Sequence, residues 1–317
     1  MQRFARFVWF VLFYDVAVVL WGAYVRVSFS GDGCGAHWPL CNGEIVPHAQ
    51  QTKTLVELFH RVTSGGSLAF AIVVFVWALR IAPKRSDVRR WSAWVLFFTA
   101  SEALIGAAIV LLRLVAHDRS LVRGVSTSLH LTNTFLLLAS VAITTRVAAG
   151  APSIAFKKRG WLGALTAGAM LSALFIAATG SIAALGDTLY PSHSIAEGLA
   201  QDAAASAPVF IRLRAIHPFV AVFGGITLLG LASFAPAARP TPEVRLLGRA
   251  LSLAYFVQVA LGVANIRFLA PTWLQLVHLL SADVVWVLLV LLATAALGAT
   301  EPISSPKAAL AGPPPVR

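Results

Sequence analysis

The stretch ELFHRVTSGGSLAFAIVVFVWALRI, Glu57 to Ile81, decides the fold. After a short polar start it stays apolar for the length a helix needs to cross a hydrocarbon core of roughly 30 Å, about 20 residues. Comparable runs recur outward from it, at approximately 5–27, 91–113, 122–146, 161–185, 209–234, 246–267 and 273–298, giving eight with the 57–81 run. The composition agrees. With 58% hydrophobic and 12% charged residues, a chain of 317 residues has too little polar surface to cover a soluble globule, so the bilayer is the expected solvent. The expected fold class is all-α integral membrane, with eight transmembrane helices. The first run reads as a helix and not as a signal peptide, because it outlasts a typical apolar h-region and no small-residue cleavage site precedes the polar segment around Ser28.

A net charge of +12 raises nucleic acid as a partner, but the basic residues sit mostly in alternate loops, the pattern that orients a membrane protein. Arg3 and Arg6 precede the first span. Lys84, Arg85, Arg89 and Arg90 join the second and third; Arg146, Lys157, Lys158 and Arg159 join the fourth and fifth; Arg239, Arg245 and Arg249 join the sixth and seventh. These segments are expected on the cytoplasmic side, with both termini, and no nucleic acid is expected. The long loops after the first and fifth spans carry Asp32 and Glu44, or Asp187, Glu197 and Asp202, with Lys53 the only lysine, and are expected outside. The loop after the third span fits less well, because Arg113, Arg119 and Arg123 flank it.

Cys34 and Cys41 are the only two cysteines, and both fall in the first outer loop, where an oxidising compartment permits a disulfide. A bridge would close Cys34-Gly-Ala-His-Trp-Pro-Leu-Cys41 and clamp the chain leaving the first span; two unpaired thiols are the alternative. A metal site fits poorly, because His37 and His48 supply nitrogens but no second cysteine pair completes a tetrahedral shell.

The second four spans echo the first. His60 and His217 lie near the outer ends of the second and sixth spans, and His130 and His278 near the outer ends of the fourth and eighth. Glu102-Ala-Leu-Ile-Gly106 on the third span lines up with Gln258-Val-Ala-Leu-Gly262 on the seventh. His60 and His130 are 70 residues apart, and His217 and His278 are 61 apart. Two pseudo-symmetric four-helix bundles follow, residues 1–150 and 151–300, related by an axis along the membrane normal, with a Pro- and Ala-rich tail at 301–317 expected to be disordered in the cytoplasm.

A strongly polar side chain inside a membrane helix is costly and marks a site by default, although a lone histidine is as readily an interhelical hydrogen-bonder. Four at one depth favour a site. Two imidazoles facing across a four-helix bundle can supply both axial ligands of a haem iron. Mononuclear zinc or copper needs three or four converging ligands, more than each half offers. A proton relay would need a carboxylate chain, which Asp15, Glu57, Glu102 and Asp283 do not evidently form. The halves also differ: Glu57 precedes His60 by three residues and shares its helix face, whereas Arg214 holds that place before His217. A carboxylate can stabilise developing positive charge or move protons, and an arginine can hold a haem propionate, so the first half reads as the reactive one. Arg61, Arg212 and Arg214 read as propionate partners or snorkelling anchors, and Glu57 has Arg61 as an alternative, merely structural partner.

These residues resemble the heme A synthases of aerobic respiratory chains and their relatives, the mitochondrial cytochrome oxidase assembly proteins, over nearly the whole chain. The resemblance rests on Gly22-Ala-Tyr-Val-Arg26-Val, the Cys34–Cys41 loop, Glu57-Leu-Phe-His60-Arg61, His130 and His278. Ala184-Leu-Gly-Asp187-Thr-Leu-Tyr190-Pro191 and Arg212-Leu-Arg214-Ala-Ile-His217-Pro218 resemble one bacterial branch, with Pro218 where many members carry arginine. The resemblance implies an oxidoreductase acting on a CH or CH2 group, which converts the C8 methyl of haem O to the formyl of haem A by successive hydroxylations. It implies that His60, His130 and Arg61 bind the substrate haem, that His217, His278 and Arg214 bind a haem b cofactor, that Glu57 is catalytic, and that the cysteines are structural or redox support. Implied partners are haem O synthase, cytochrome oxidase assembly factors and an electron-transfer protein, and the implied location is the bacterial cytoplasmic (inner) membrane. A bis-histidine cytochrome b that only transfers electrons is the alternative, set against by all four histidines lying toward one face. A thiol oxidase lacks its second cysteine pair, and a histidine-relay transporter lacks broken helices.

Overall fold

The computed structural model describes residues 1–45, 47, 51–154 and 160–299. His48, Lys157, Lys158, Arg159 and the tail 301–317 lie outside the described residues. Among those described there are nine helices: α1 (Gln2–Val27), α2 (Thr52–Ile81), α3 (Asp87–Leu111), α4 (Leu121–Ala148), α5 (Gly160–Leu189), α6 (Ile195–Ala203), α7 (Val209–Ala238), α8 (Pro242–Arg267) and α9 (Thr272–Leu297). All except α6 are long and apolar enough to cross a membrane, so the protein is an all-α membrane protein with the eight expected spans.

Local chemistry sets the helix starts. Ser86, Ser120 and Thr241 cap α3, α4 and α8 by accepting the backbone N–H three residues on, which satisfies a donor that has no intrahelical partner. The α2 helix starts at Thr52, five residues ahead of the apolar run, with Thr54 donating to the Gly33 carbonyl at 2.8 Å. The short α6 was not anticipated from hydropathy, yet its signal is local: the N-cap Ser194 accepts from the Glu197 N–H, and Glu197 accepts from the N–H of His193, the residue before the cap, at 2.8 Å, a variant of the capping box.

The α1 helix packs against α2 and α4, and α3 lies between α2 and α4; likewise α5 packs on α7 and α9, and α8 lies between α7 and α9. The two sets meet where α4 packs on α5 and α9, and α1 on α9. At this junction α4 is the most enclosed span, 78% buried in its apolar window against 39% for α9. Its hydroxyls stay satisfied by bonding back one turn, Ser140 to the Leu136 carbonyl at 2.8 Å and Thr144 to the Ser140 carbonyl at 2.7 Å, so polar atoms sit in an apolar interior at little cost. The Trp286 indole stacks on Phe135 with centroids 5.2 Å apart and donates to the Phe135 carbonyl at 2.6 Å. Elsewhere large apolar side chains such as Phe13, Phe97, Phe223 and Leu253 point outward and are exposed, as the lipid-facing surface of a membrane protein requires.

The misfit loop between α3 and α4 accounts for two of its three arginines. Arg123 is buried and donates to the Ala116 and Asp118 carbonyls at 2.6 and 2.7 Å, and Arg119 lies over the Tyr190 ring at 4.8 Å. Arg123 thus serves the loop's own structure, and Arg119 the contact with the end of α5.

Candidate functional site

The four expected histidines all fall within the first ten residues of their helices, His60 on α2, His130 on α4, His217 on α7 and His278 on α9. Each imidazole lies against a glycine of a neighbouring helix. A Cβ built at Gly22 would stand 2.8 Å from His60 Cε1, at Gly106 3.4 Å from His130 Nε2, at Gly180 3.0 Å from His217 Cε1, and at Gly262 3.3 Å from His278 Cε1. The same glycine–histidine pairing therefore recurs as α1–α2, α3–α4, α5–α7 and α8–α9, tightest at Gly22 and Gly180 and in ordinary van der Waals range at Gly106. The sequence displayed the histidines and aligned Gly106 with Gly262, but nothing in it tied these two, or Gly22 and Gly180, among 23 glycines in all, to the imidazoles.

The ring nitrogens have distinct partners. His130 Nδ1 is 2.7 Å from Glu102 Oε1, and His217 Nδ1 is 3.1 Å from Thr179 Oγ1, which leaves Nε2 of both rings uncommitted by these bonds. His278 Nε2 is 3.2 Å from Gln258 Nε2. Among the described residues, the Nδ1 atoms of His60 and His278 are buried without a hydrogen-bond partner. A buried polar atom left unsatisfied costs free energy, and a metal centre between paired imidazoles is a chemically apt partner for it. Among the described residues no three His, Cys, Asp or Glu side chains converge, so the donor set suits a group needing only two axial nitrogens. The residues fit haem.

Glu57 is buried at 3% exposure and fully engaged. Its Oε2 accepts the Cys34 N–H at 2.8 Å, and its Oε1 accepts the Arg61 Nε–H at 3.1 Å, with an ion pair to Arg61 Nη2 as well. Arg61 Nη1 donates to the His37 and Leu40 carbonyls, both at 2.6 Å. Cys34 and Cys41 form the disulfide that closes this loop, and Gly33 lies so near α2 that a Cβ there would meet the Lys53 carbonyl at 2.5 Å. The loop, the acid and the arginine are thus one clamp at the N-terminal end of α2. The corresponding place on α7 holds Arg214, paired with Asp202 at 2.7 Å and Asp187 at 3.2 Å.

The other acidic groups of the span interiors differ in their partners. Asp15 accepts from Ser67 at 2.7 Å. Glu102 accepts from Asn133 and Thr134, each at 2.5 Å, as well as meeting His130. Asp283 is 1% exposed, and neither of its carboxylate oxygens has a hydrogen-bond partner among the described residues.

Residues 5–290 match the COX15-CtaA family, described as cytochrome oxidase assembly protein. A Thermus thermophilus protein named Protoheme IX farnesyltransferase is 40% identical over 296 residues, 93% of this chain and 49% of that protein, so the chain spans about half the length of such a relative. Proteins named Heme A synthase match over shorter segments: one from Symbiobacterium thermophilum is 42% identical over 93 residues, 29% of this chain and 30% of its own, and one from Bacillus mycoides is 36% identical over 111 residues, 35% of this chain and 36% of its own.

Proposed function

The chain belongs to the cytochrome oxidase assembly protein family, and on that premise we propose that it acts as a heme A synthase, an oxidoreductase that converts the C8 methyl of haem O to a formyl group by successive hydroxylations. The observation that carries this reading is an asymmetry among four histidines that each lie against a glycine of a neighbouring helix: only His60 has a buried carboxylate, Glu57, three residues before it.

In this reading residues 1–150 form the substrate bundle. His60 and His130 hold the iron of haem O, and Arg61 stands where a propionate is met. Residues 151–300 form a second bundle in which His217 and His278 hold haem b, with Arg214 beside it. Bound haem b supplies a one-electron path between the substrate site and an external partner. Glu57, fixed by the Cys34 amide and Arg61, presents negative charge that stabilises positive charge developing on the oxidised methyl carbon. The enclosing helices keep the long farnesyl tail of haem O in the bilayer, which it can enter laterally between spans. The cysteine bridge supports the clamp and takes no direct part at the methyl group.

The chain then works in the bacterial cytoplasmic membrane with both termini inside, receiving haem O from a farnesyl-transferring enzyme and delivering haem A toward cytochrome oxidase assembly. The name of the longer Thermus thermophilus relative supports the link to farnesyl transfer. Replacement of Glu57 by Ala tests the assignment: both haems remain bound and haem A ceases to accumulate. Undiminished haem A from that variant overturns the role given to Glu57.

A further inference from the structure

We infer that Glu102 is a positioning residue of the first site, holding His130 by its Nδ1–H and biasing the iron that His130 binds toward its oxidised state, while Gln258 leaves the second site without that bias. This rests on the proposed function, which places a haem at His130 and another at His278.

The geometry is that of a fixed acceptor. Glu102 Oε1 lies 2.7 Å from His130 Nδ1, and the carboxylate is itself pinned by Thr134 Oγ1 on the same oxygen and Asn133 Nδ2 on the other, each at 2.5 Å. Asn133 is in turn held by Ser101 at 2.7 Å and by the Phe98 carbonyl at 3.0 Å. Glu102 therefore cannot swing away without breaking a network that joins α3 to α4. A ligating histidine whose second nitrogen donates to a carboxylate has its ring orientation and tautomer set, and its basicity raised. A more basic axial ligand stabilises ferric over ferrous iron, one of the means by which a protein sets the potential of a haem.

The repeat supplies the contrast. Gln258 occupies on α8 the place that Glu102 occupies on α3, four residues before the glycine that faces the histidine, but it meets the other ring nitrogen, approaching His278 Nε2 at 3.2 Å and leaving Nδ1 as that ring's unpartnered atom. An amide there is neutral. A charged acceptor on the free nitrogen of one ring and a neutral amide on that of the other is then one difference between the two irons, with the first site the harder to reduce.

The test is a redox titration of full-length protein carrying both haems, the first site identified by its loss in a His130→Ala variant. Glu102→Gln moves the midpoint of the first-site haem to more positive potential, leaves that of the second unmoved, and weakens haem retention at the first site about tenfold or more. Gln258→Glu does the reverse, moving the second-site midpoint to more negative potential, and decides the matter if Glu102→Gln fails to hold haem. A first-site midpoint unchanged in Glu102→Gln, or a second-site midpoint unchanged in Gln258→Glu, overturns the inference alone. Wild-type protein with no haem dependent on His60 and His130 overturns the functional reading and the inference with it.

Discussion

The Cys34 amide donates to the Glu57 carboxylate at 2.8 Å, which joins the disulfide loop between α1 and α2 to the acid beside His60. A hydrogen bond to a charged group contributes about 1.5–3 kcal/mol. Breaking the bridge frees the loop that presents this amide and the two carbonyls that hold Arg61. The double variant Cys34→Ser, Cys41→Ser is therefore expected to lower haem A formation roughly tenfold or more while leaving haem b in place, measured by extracting haems from purified protein. Unchanged haem A output contradicts a positioning role for the loop.

The glycine–histidine contacts predict site-specific losses. Ala at position 22 puts a methyl 2.8 Å from the His60 ring, and Ala at position 180 puts one 3.0 Å from the His217 ring. Each ring must shift, because it is packed and not the end of a flexible chain. Gly22→Ala is expected to reduce haem at the first site, and Gly180→Ala at the second, each about tenfold. Gly168→Ala, whose added methyl meets nothing within 4 Å, should change neither. Haem spectra of the three purified variants decide this.

Trp286 and Phe135 bind α9 to α4 where the two sets of helices meet. Trp286→Phe keeps a ring on Phe135 but loses the indole donor, a cost of about 1 kcal/mol. Trp286→Ala also opens a cavity and is expected to cost about 3–5 kcal/mol. Thermal unfolding in detergent should rank the variants in that order, with haem content at room temperature unchanged in Trp286→Phe.

Much of this was legible in the sequence because the membrane imposes it. Apolar run length reports directly on spans, and the histidines fall near the starts of α2, α4, α7 and α9. Glu57 and Arg61 could be placed together because they lie one turn apart on one helix. What stayed hidden depends on pairings between distant segments. Nothing local to Glu102 indicated that it meets His130, although its alignment with Gln258 in the repeat was a signal that the two positions matter. The clamp of Arg61 onto the His37 and Leu40 carbonyls arises from loop backbone, which leaves no side-chain signature. The extra helix α6 was missed because hydropathy finds spans, whereas its signal was the Ser194 and Glu197 capping box.

The central claim is that the two histidine pairs hold two different haems, one of them a substrate. The most direct measurement is to purify the protein from a host that makes haem O and to identify the extracted haems by mass. The account predicts haem B together with haem O or haem A, the latter two lost on His60→Ala or His130→Ala and haem B lost on His217→Ala or His278→Ala. Haem B alone, bound at both sites, contradicts it and makes the protein an electron-carrying cytochrome.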